Sequence, residues 1–315
     1  VLLDKYNVKA ELTTSERVGF HKYTFNSNEE AHVLLDLADG VGWDSPKETY
    51  IKKTGKRTIV GYRHSKGWAD DQRLFFAMEF SEDISNVALY DSTSVVKGTE
   101  GNALKMKAVL DFVNKTKNVI MVKVGLSPVS YDNALANIKA EIPHWDFMKS
   151  VQLADAKWNI ALGKIDIKAS VDTKKIFYTS LYHTMFAPSI FNDANGDYRG
   201  TDKKVYKNAG FVNYTTFSLW DTYRALHPLY TITQEDKIND IIKTFLAIYQ
   251  QQGRLPVWHL MGNETDCMNG NHSIPVIVDA YFKGYRNYDV ALAYEAIKKT
   301  AMQTRAGMDY VQKIQ

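Results

Sequence analysis

The chain has 315 residues, 45% hydrophobic and 24% charged, which is globular composition with length for two domains or one large one. Its 39 Lys and Arg against 36 Asp and Glu leave a net charge of +3, with no basic run that would make a nucleic-acid or anionic-membrane surface. A single cysteine, Cys267, excludes an internal disulfide, and no apolar stretch reaches the length of a membrane-spanning helix.

Residues 1–126 carry the two-residue alternation of strands. "VKAELTTSERVGFHKYTF" alternates from the start, and "AHVLLDLA", "RTIVGYR", "LFFAMEF", "VALY", "ALKMKAVLDF" and "NVIMVKVGL" follow between turn residues. Many short strands without a convincing helix predict an antiparallel β-sandwich. Because the first residues already read as strand, the chain is expected to begin inside a domain. In residues 127–168 the period becomes helical, broken at Pro143, and this stretch is expected to form linker helices.

From residue 169 the pattern is helical. "DTKKIFYTSLYHTMFAPSIF" offers Asp172 as an N-cap and stops near Pro188, and "YTTFSLWDTYRALHPLYTIT" reads as the next helix. In "QEDKINDIIKTFLAIYQQQG" the residues Ile238, Ile241, Ile242, Phe245, Leu246 and Tyr249 share one face, and Gly253 ends the run. "HSIPVIVDAYFKGYRN" and "DVALAYEAIKKTAMQTRA" are too apolar on too many sides for lone surface helices. "GMDYVQKIQ" looks like one more helix beginning. Antiparallel pairs of such helices suit an α/α toroid.

Three polar groupings stand out. "DANGDYRG" (193–200) has acids at alternate positions, but an EF-hand reading fails because Lys204 stands where the bidentate Glu should be. A turn with Asx and Gly chemistry explains it better. In "SLWDTYRALHPL", Trp220 beside Asp221 could be a sugar platform with a hydroxyl acceptor, or Asp221 could pair with Arg224 on the surface. "RLPVWHLMGNETDCMNGNHSIPV" (254–276) concentrates Asn263, Glu264, Asp266, Asn269, Asn271 and His272. Glycoside hydrolysis needs one carboxyl held protonated and a second to handle water or attack the anomeric carbon, and Glu264 after Gly262 and Asn263 could supply the first. The plainer reading is a capping loop, with Asn271 or Ser273 capping the helix that follows.

The same motifs, "RLPVWHLMGNETDCMNGNHSIPVIVDAY", "SLWDTYRALHPLYT" and "DANGDYRG", together with "ELTTSERVGFHKYTF" and "GLSPVSYDNALANIKAE", resemble the glycoside hydrolase family 92 exo-α-mannosidases over essentially the whole chain. The resemblance implies a multi-domain β and α protein. Part of an N-terminal antiparallel β-sandwich (1–126) and linker helices (127–168) would precede the first part of an (α/α)6 catalytic barrel (169–315). It implies an inverting, calcium-assisted enzyme that removes terminal α-linked mannose from glycans. Glu264 would be the general acid, and Trp220, Asp221 and His272 would line the sugar site; the calcium ligands are not identified.

His259 stands where the family usually has an acid, and "MNGNH" replaces the more usual "MIGYH". The segment carrying the base would lie beyond Gln315 and the glycine-rich opening before Val1, so the chain is expected to be an internal fragment, inactive or nearly so alone. Asp279 is a conceivable but weaker candidate for the base. Alternatives are another (α/α)6 glycosidase, or a carbohydrate-binding protein that kept the fold. The expected partner is a mannose-containing glycan rather than nucleic acid or membrane, and the family implies a periplasmic, cell-surface or secreted location.

Overall fold

The computed structural model describes residues 1–26, 31–112 and 118–303. The chain divides into two compact units, Val1–Lys168 with Phe191–Arg199, and Ala169–Ile190 with Gly200–Gln315.

The first unit contains β1 (Leu2–Leu3), β2 (Val8–Thr14), β3 (Val18–Thr24), β4 (Ala31–Asp36), β5 (Ser45–Lys53), β6 (Thr58–Lys66), β7 (Gln72–Phe80), β8 (Ile84–Asp91), β9 (Ser94–Val96), β10 (Glu100–Ala103), β11 (Met106–Phe112) and β12 (Val119–Ser127). Among the described residues they form an eight-stranded sheet ordered β1-β2-β3-β12-β7-β6-β5-β10 and a four-stranded sheet ordered β4-β11-β8-β9. The pairings are antiparallel, with Val122 of β12 opposite His21 on one side and Phe80 on the other. Strict alternation in β11 sends Met106, Ala108, Leu110 and Phe112 inward, where they meet Ile51, Ile59, Met78, Phe80, Ile120 and Val122 from the large sheet. Two inner faces sharing one apolar layer make the expected β-sandwich.

The other face of the large sheet is covered by α1 (Tyr131–Glu141) and α2 (Phe147–Leu162). Val18, Phe20, Val60 and Ala77 pack there against Ala134, Ile138 and Phe147. Ser130 caps α1 by accepting the Asn133 N–H, and Asp146 caps α2 by accepting that of Lys149, so the helical run breaks around Pro143. Gly125 permits the close approach of α1, since a β-carbon there would lie 2.3 Å from the Ala134 carbonyl oxygen.

Residues 191–199 return to this unit. The buried Asp193 carboxylate accepts from Ser127 Oγ (2.8 Å), Asn133 Nδ2 (2.7 Å) and Asn137 Nδ2 (2.8 Å). Burial pushes its pKa above the ordinary carboxylate value, and the three donors oppose that shift. Asn195 Oδ1 accepts the Asp197 N–H at 3.0 Å, and Gly196 adopts φ +86°, so "DANGD" is a turn of Asx and glycine chemistry.

The second unit holds α3 (Val171–His183), α4 (Leu219–Thr222), α5 (Leu226–Thr233), α6 (Glu235–Gln252), α7 (Ser273–Phe282) and α8 (Val290–Met302). The face expected of α6 is its buried face. It packs with Tyr230 of α5, Val276, Ile277 and Ala280 of α7, and Ala293 and Ala296 of α8. Gly253 ends α6 at φ +82°.

Two local expectations are corrected. The cap of α3 is Ser170, which accepts the Thr173 N–H, while Asp172 sits in the first turn. "YTTFSLWDTYRALHPLYTIT" is not one helix. Tyr214–Thr215 pairs with Ser189–Ile190, Phe217–Ser218 is a second short strand, and only then do α4 and α5 begin. The helix read in "GMDYVQKIQ" lies outside the described residues. Val171, Ile176, Ile232, Phe282, Tyr294 and Met302 stay exposed on the helices, in keeping with sequences apolar on several sides.

Candidate active site

After Gly253 the chain runs through buried Leu255 and Val257 into the strand Trp258–Leu260, turns at Met261–Gly262 and returns as the strand Asn263–Glu264. With Leu260 opposite Asn263, and φ +48° at Met261 and +72° at Gly262, this is a two-residue hairpin of the primed type. A left-handed methionine costs roughly 1–2 kcal/mol, so other contacts must hold the turn. Met261 N–H donates to Thr215 Oγ1 at 2.6 Å. Lys203 Nζ donates to the Gly262 carbonyl and to Asn263 Oδ1, both at 2.6 Å.

Glu264 is thus carried on a hairpin strand rather than in an irregular loop. Its Oε1 accepts the main-chain N–H groups of Trp258 (2.8 Å) and Asp266 (3.1 Å), and its Oε2 that of Val257 (2.8 Å). A carboxyl has about four acceptor positions. Among the described residues three are taken, and the fourth position is on Oε2. Asp266, which adopts φ +50°, is ion-paired with Arg254.

The same small sheet brings the second motif alongside. Phe217 and Ser218 lie opposite His259 and Trp258, so the order is Phe217–Ser218, Trp258–Leu260, Asn263–Glu264. Helix α4 starts directly after Ser218. Asp221 accepts from Ser218 Oγ, and Arg224 donates to the Tyr223 hydroxyl (3.1 Å), so neither makes the surface pair that spacing allowed. Trp220 and His272 do come together, edge to face with centroids 5.5 Å apart, and Tyr223 stacks on the imidazole at 4.2 Å and 16°. Gly270 lets the loop lie against this ring, since a β-carbon there would be 2.4 Å from His272 Nε2. Glu264 shares no hydrogen bond with Trp220, Asp221 or His272 among the described residues.

The capping alternative is not what the loop does. His272 occupies the cap position of α7 without a side-chain bond, and Asn271 offers only its carbonyl to the Ile274 N–H. Asn271 Oδ1, His272 Nε2 and Ser273 Oγ are buried without a partner among the described residues, polar atoms on three consecutive residues that a structural loop would be expected to satisfy. Asp279, the weaker candidate base, accepts from Lys283 one turn along α7.

His259, in the middle strand, is 2% exposed, and its Nε2 lies 3.1 Å from Thr201 Oγ1. Burial, aided by the Lys203 charge, pushes it down to about 3, so it is neutral. Among the described residues no three His, Cys, Asp or Glu side chains could share a metal ion. A calcium ion takes about six to eight oxygen ligands, main-chain and amide carbonyls among them, and no ligand set for it is assigned among the described residues.

Sequence reading did not find Tyr223, Lys203 or Thr215. Tyr223 lies within the "WDTYR" stretch and could have been read as a third ring, whereas Lys203 and Thr215 reach the hairpin only through tertiary structure.

Residues 1–127 match the N-terminal domain of glycosyl hydrolase family 92, and residues 133–315 match its catalytic domain. The chain belongs to glycoside hydrolase family 92. A family 92 α-mannosidase structure from Bacteroides thetaiotaomicron is 35% identical and aligns over 97% of this chain and 42% of its own, with a TM-score of 0.93. The same enzyme is known in complex with mannoimidazole (TM-score 0.92). A family 92 inverting mannosidase from the same species (strain VPI-5482) is 25% identical over 96% of this chain and 41% of its own, with a TM-score of 0.86. Among curated proteins, an uncharacterized secreted glycosidase of Arthroderma benhamiae is 29% identical over 93% of this family 92 chain. The chain spans 37% of that relative's length. No helix among the described residues is long and apolar enough to cross a membrane.

Proposed function

We propose that this chain is part of an exported glycosidase that removes terminal α-linked mannose from glycans with inversion, with Glu264 as general acid. The observation that carries the reading is the small sheet that ties the Glu264 hairpin to the Trp220–His272–Tyr223 ring cluster. Flat rings offer an apolar surface to a pyranose, and the Trp220 ring of this cluster is exposed. The mannosidase structures, one of them holding mannoimidazole, supply the sugar. Export rests on the secreted relative.

In this reading the acid proton sits on Glu264 Oε2, the oxygen with a free acceptor position, and passes to the departing glycosidic oxygen. The main-chain donors of Val257, Trp258 and Asp266 then receive the carboxylate. Inversion needs a second carboxylate about 6.5–9.5 Å away with water between them. Asp221, Asp266 and Asp279 each already hold another partner, so the base is not assigned to any of them. Calcium is proposed from family resemblance only, and the 315 residues alone are expected to turn over little or no substrate.

One observation favours the non-catalytic alternative: main-chain donors on both Glu264 oxygens would equally tie a binding loop together. Glu264→Gln decides between them. In the intact protein as its gene encodes it, mannose release should fall about 10²–10⁴-fold while mannoimidazole still binds. Unchanged release would remove Glu264 from the chemistry, and release of glucose in place of mannose would favour another glycosidase.

A further inference from the structure

Lys203 lies in a tight turn 61 positions before Glu264 in sequence, yet it braces the hairpin that carries it. The turn is closed by Lys203 N–H to the Gly200 carbonyl (3.0 Å) and Gly200 N–H to the Lys204 carbonyl (2.9 Å), with Lys203 itself at φ +67°. From there the ammonium reaches the carbonyl of Gly262 and Oδ1 of Asn263, the residue immediately before Glu264. Asn263 is 8% exposed, and its Nδ2 donates to the carbonyls of Leu260 (3.2 Å) and Met261 (2.9 Å). One ammonium therefore fixes both ends of the two-residue turn, directly at Gly262 and through the Asn263 amide at Leu260 and Met261. The neighbouring Thr201 meets His259, which lies opposite Glu264 in the hairpin. A single turn thus grips both strands.

We propose that Lys203 is a positioning residue for proton transfer by Glu264, holding the strained Met261–Gly262 turn so that the carboxyl stays on its main-chain donors. The proposal rests on the general-acid reading of Glu264. Without the ammonium, a buried amide oxygen and the turn carbonyl lose their donor, and a left-handed methionine has less to keep it there. The strand Asn263–Glu264 is then free to shift. A displacement of about 1 Å at a reacting group is worth roughly 10²-fold in rate.

The test compares two substrates in the intact protein: an α-mannoside with an activated dinitrophenolate leaving group, which needs little protonation, and an α-linked mannobiose, which needs it fully. Glu264→Gln should lower turnover of mannobiose about 10²–10⁴-fold and spare the activated substrate. Lys203→Met should do the same to a lesser degree, lowering kcat on mannobiose about 10- to 100-fold with KM nearly unchanged. Lys203→Arg should recover part of the loss. Equal losses on both substrates, a change confined to KM, or no change would overturn the positioning role. If Lys203→Met does not fold, the ratio of the two substrates for Lys203→Arg decides in the same way. If Glu264→Gln itself shows no dependence on the leaving group, the acid assignment fails first, and that outcome is seen without any Lys203 variant.

Discussion

The β-rich unit and the helical unit differ in where the backbone is strained. Among the described residues, non-glycine positions with positive φ number two in the first unit, Asn7 and Ser92. The second unit has six: Lys203, Asn208, Thr216, Met261, Asp266 and Met268. Of these six, Met261, Asp266 and Met268 lie on or just after the Glu264 hairpin, Thr216 sits between short strands that support it, and Lys203 braces its turn. Long strands paired over their full length stay in the broad β region, whereas strands of two or three residues must turn sharply at each end. Strain concentrated beside a polar site, with dedicated contacts holding it, is the pattern of a preorganised site.

The contrast can be broken from the regular side first. Phe80→Ala removes a ring buried between the two sheets and should cost about 3–5 kcal/mol in a denaturant titration. In whatever protein remains folded, the rate ratio between the two mannosides should stay as it was. If the ratio moved as it does for Lys203→Met, the difference drawn between the units would be lost.

Next comes Gly270→Ala, which places a methyl group against His272 at φ +91°. It should cost roughly 2 kcal/mol in stability, and displacement of the ring should also raise KM for mannosides. A variant with normal KM would detach His272 from the sugar site.

The buried histidines give the contrast a pH signature. Burial holds His259 at about 3 and His227 at about 4, while the unfolded chain titrates near the ordinary 6.5. Between these values the unfolded state binds more protons, so the helical unit should lose stability as pH falls from about 6.5 through about 3. Unfolding midpoints between pH 7 and pH 4.5 should show this. His259→Gln should flatten the slope, since glutamine can still meet Thr201. The smallest effect is Met261→Gly. Relief of a left-handed methionine exceeds the entropy that glycine adds to the unfolded chain, so stability should rise by about 0.5 kcal/mol.

Legibility followed the range of the interactions. Strands such as β11, whose residues alternate strictly, were read from the sequence, as were α6 and its Gly253 stop. Strand β5 was not, because "SPKETYIKK" carries few apolar residues and takes its place from its neighbours β6 and β10. "YTTFS" reads as helix because its apolar spacing is ambiguous, and pairing with Ser189–Ile190 and Trp258–His259 decides it as strand. Glu264, Trp220, Asp221 and His272 could be singled out by residue type and motif. That Trp220 and His272 touch, and that Lys203 supports the turn before Glu264, depends on pairings between distant segments, which leave no local pattern.

The Asp193 carboxylate has a consequence for the order in which the protein is made. Ser127 and Asn137 meet it across 66 and 56 residues, so β1–β12 and both covering helices leave the ribosome before it does. Counted from Ser127, at about 5–20 residues per second, the wait for Asp193 is roughly 3–13 s. During that interval the nascent sandwich holds three side-chain donors whose acceptor has not been synthesised, and the Arg17 guanidinium lacks the Asn192 carbonyl that it later meets. Translation must carry the chain through α3, an element of the other unit, before the first can close its polar core. A messenger cut or a stall at the codon for Lys168 would therefore release these strands with an unfinished interior, a natural substrate for chaperones and proteases.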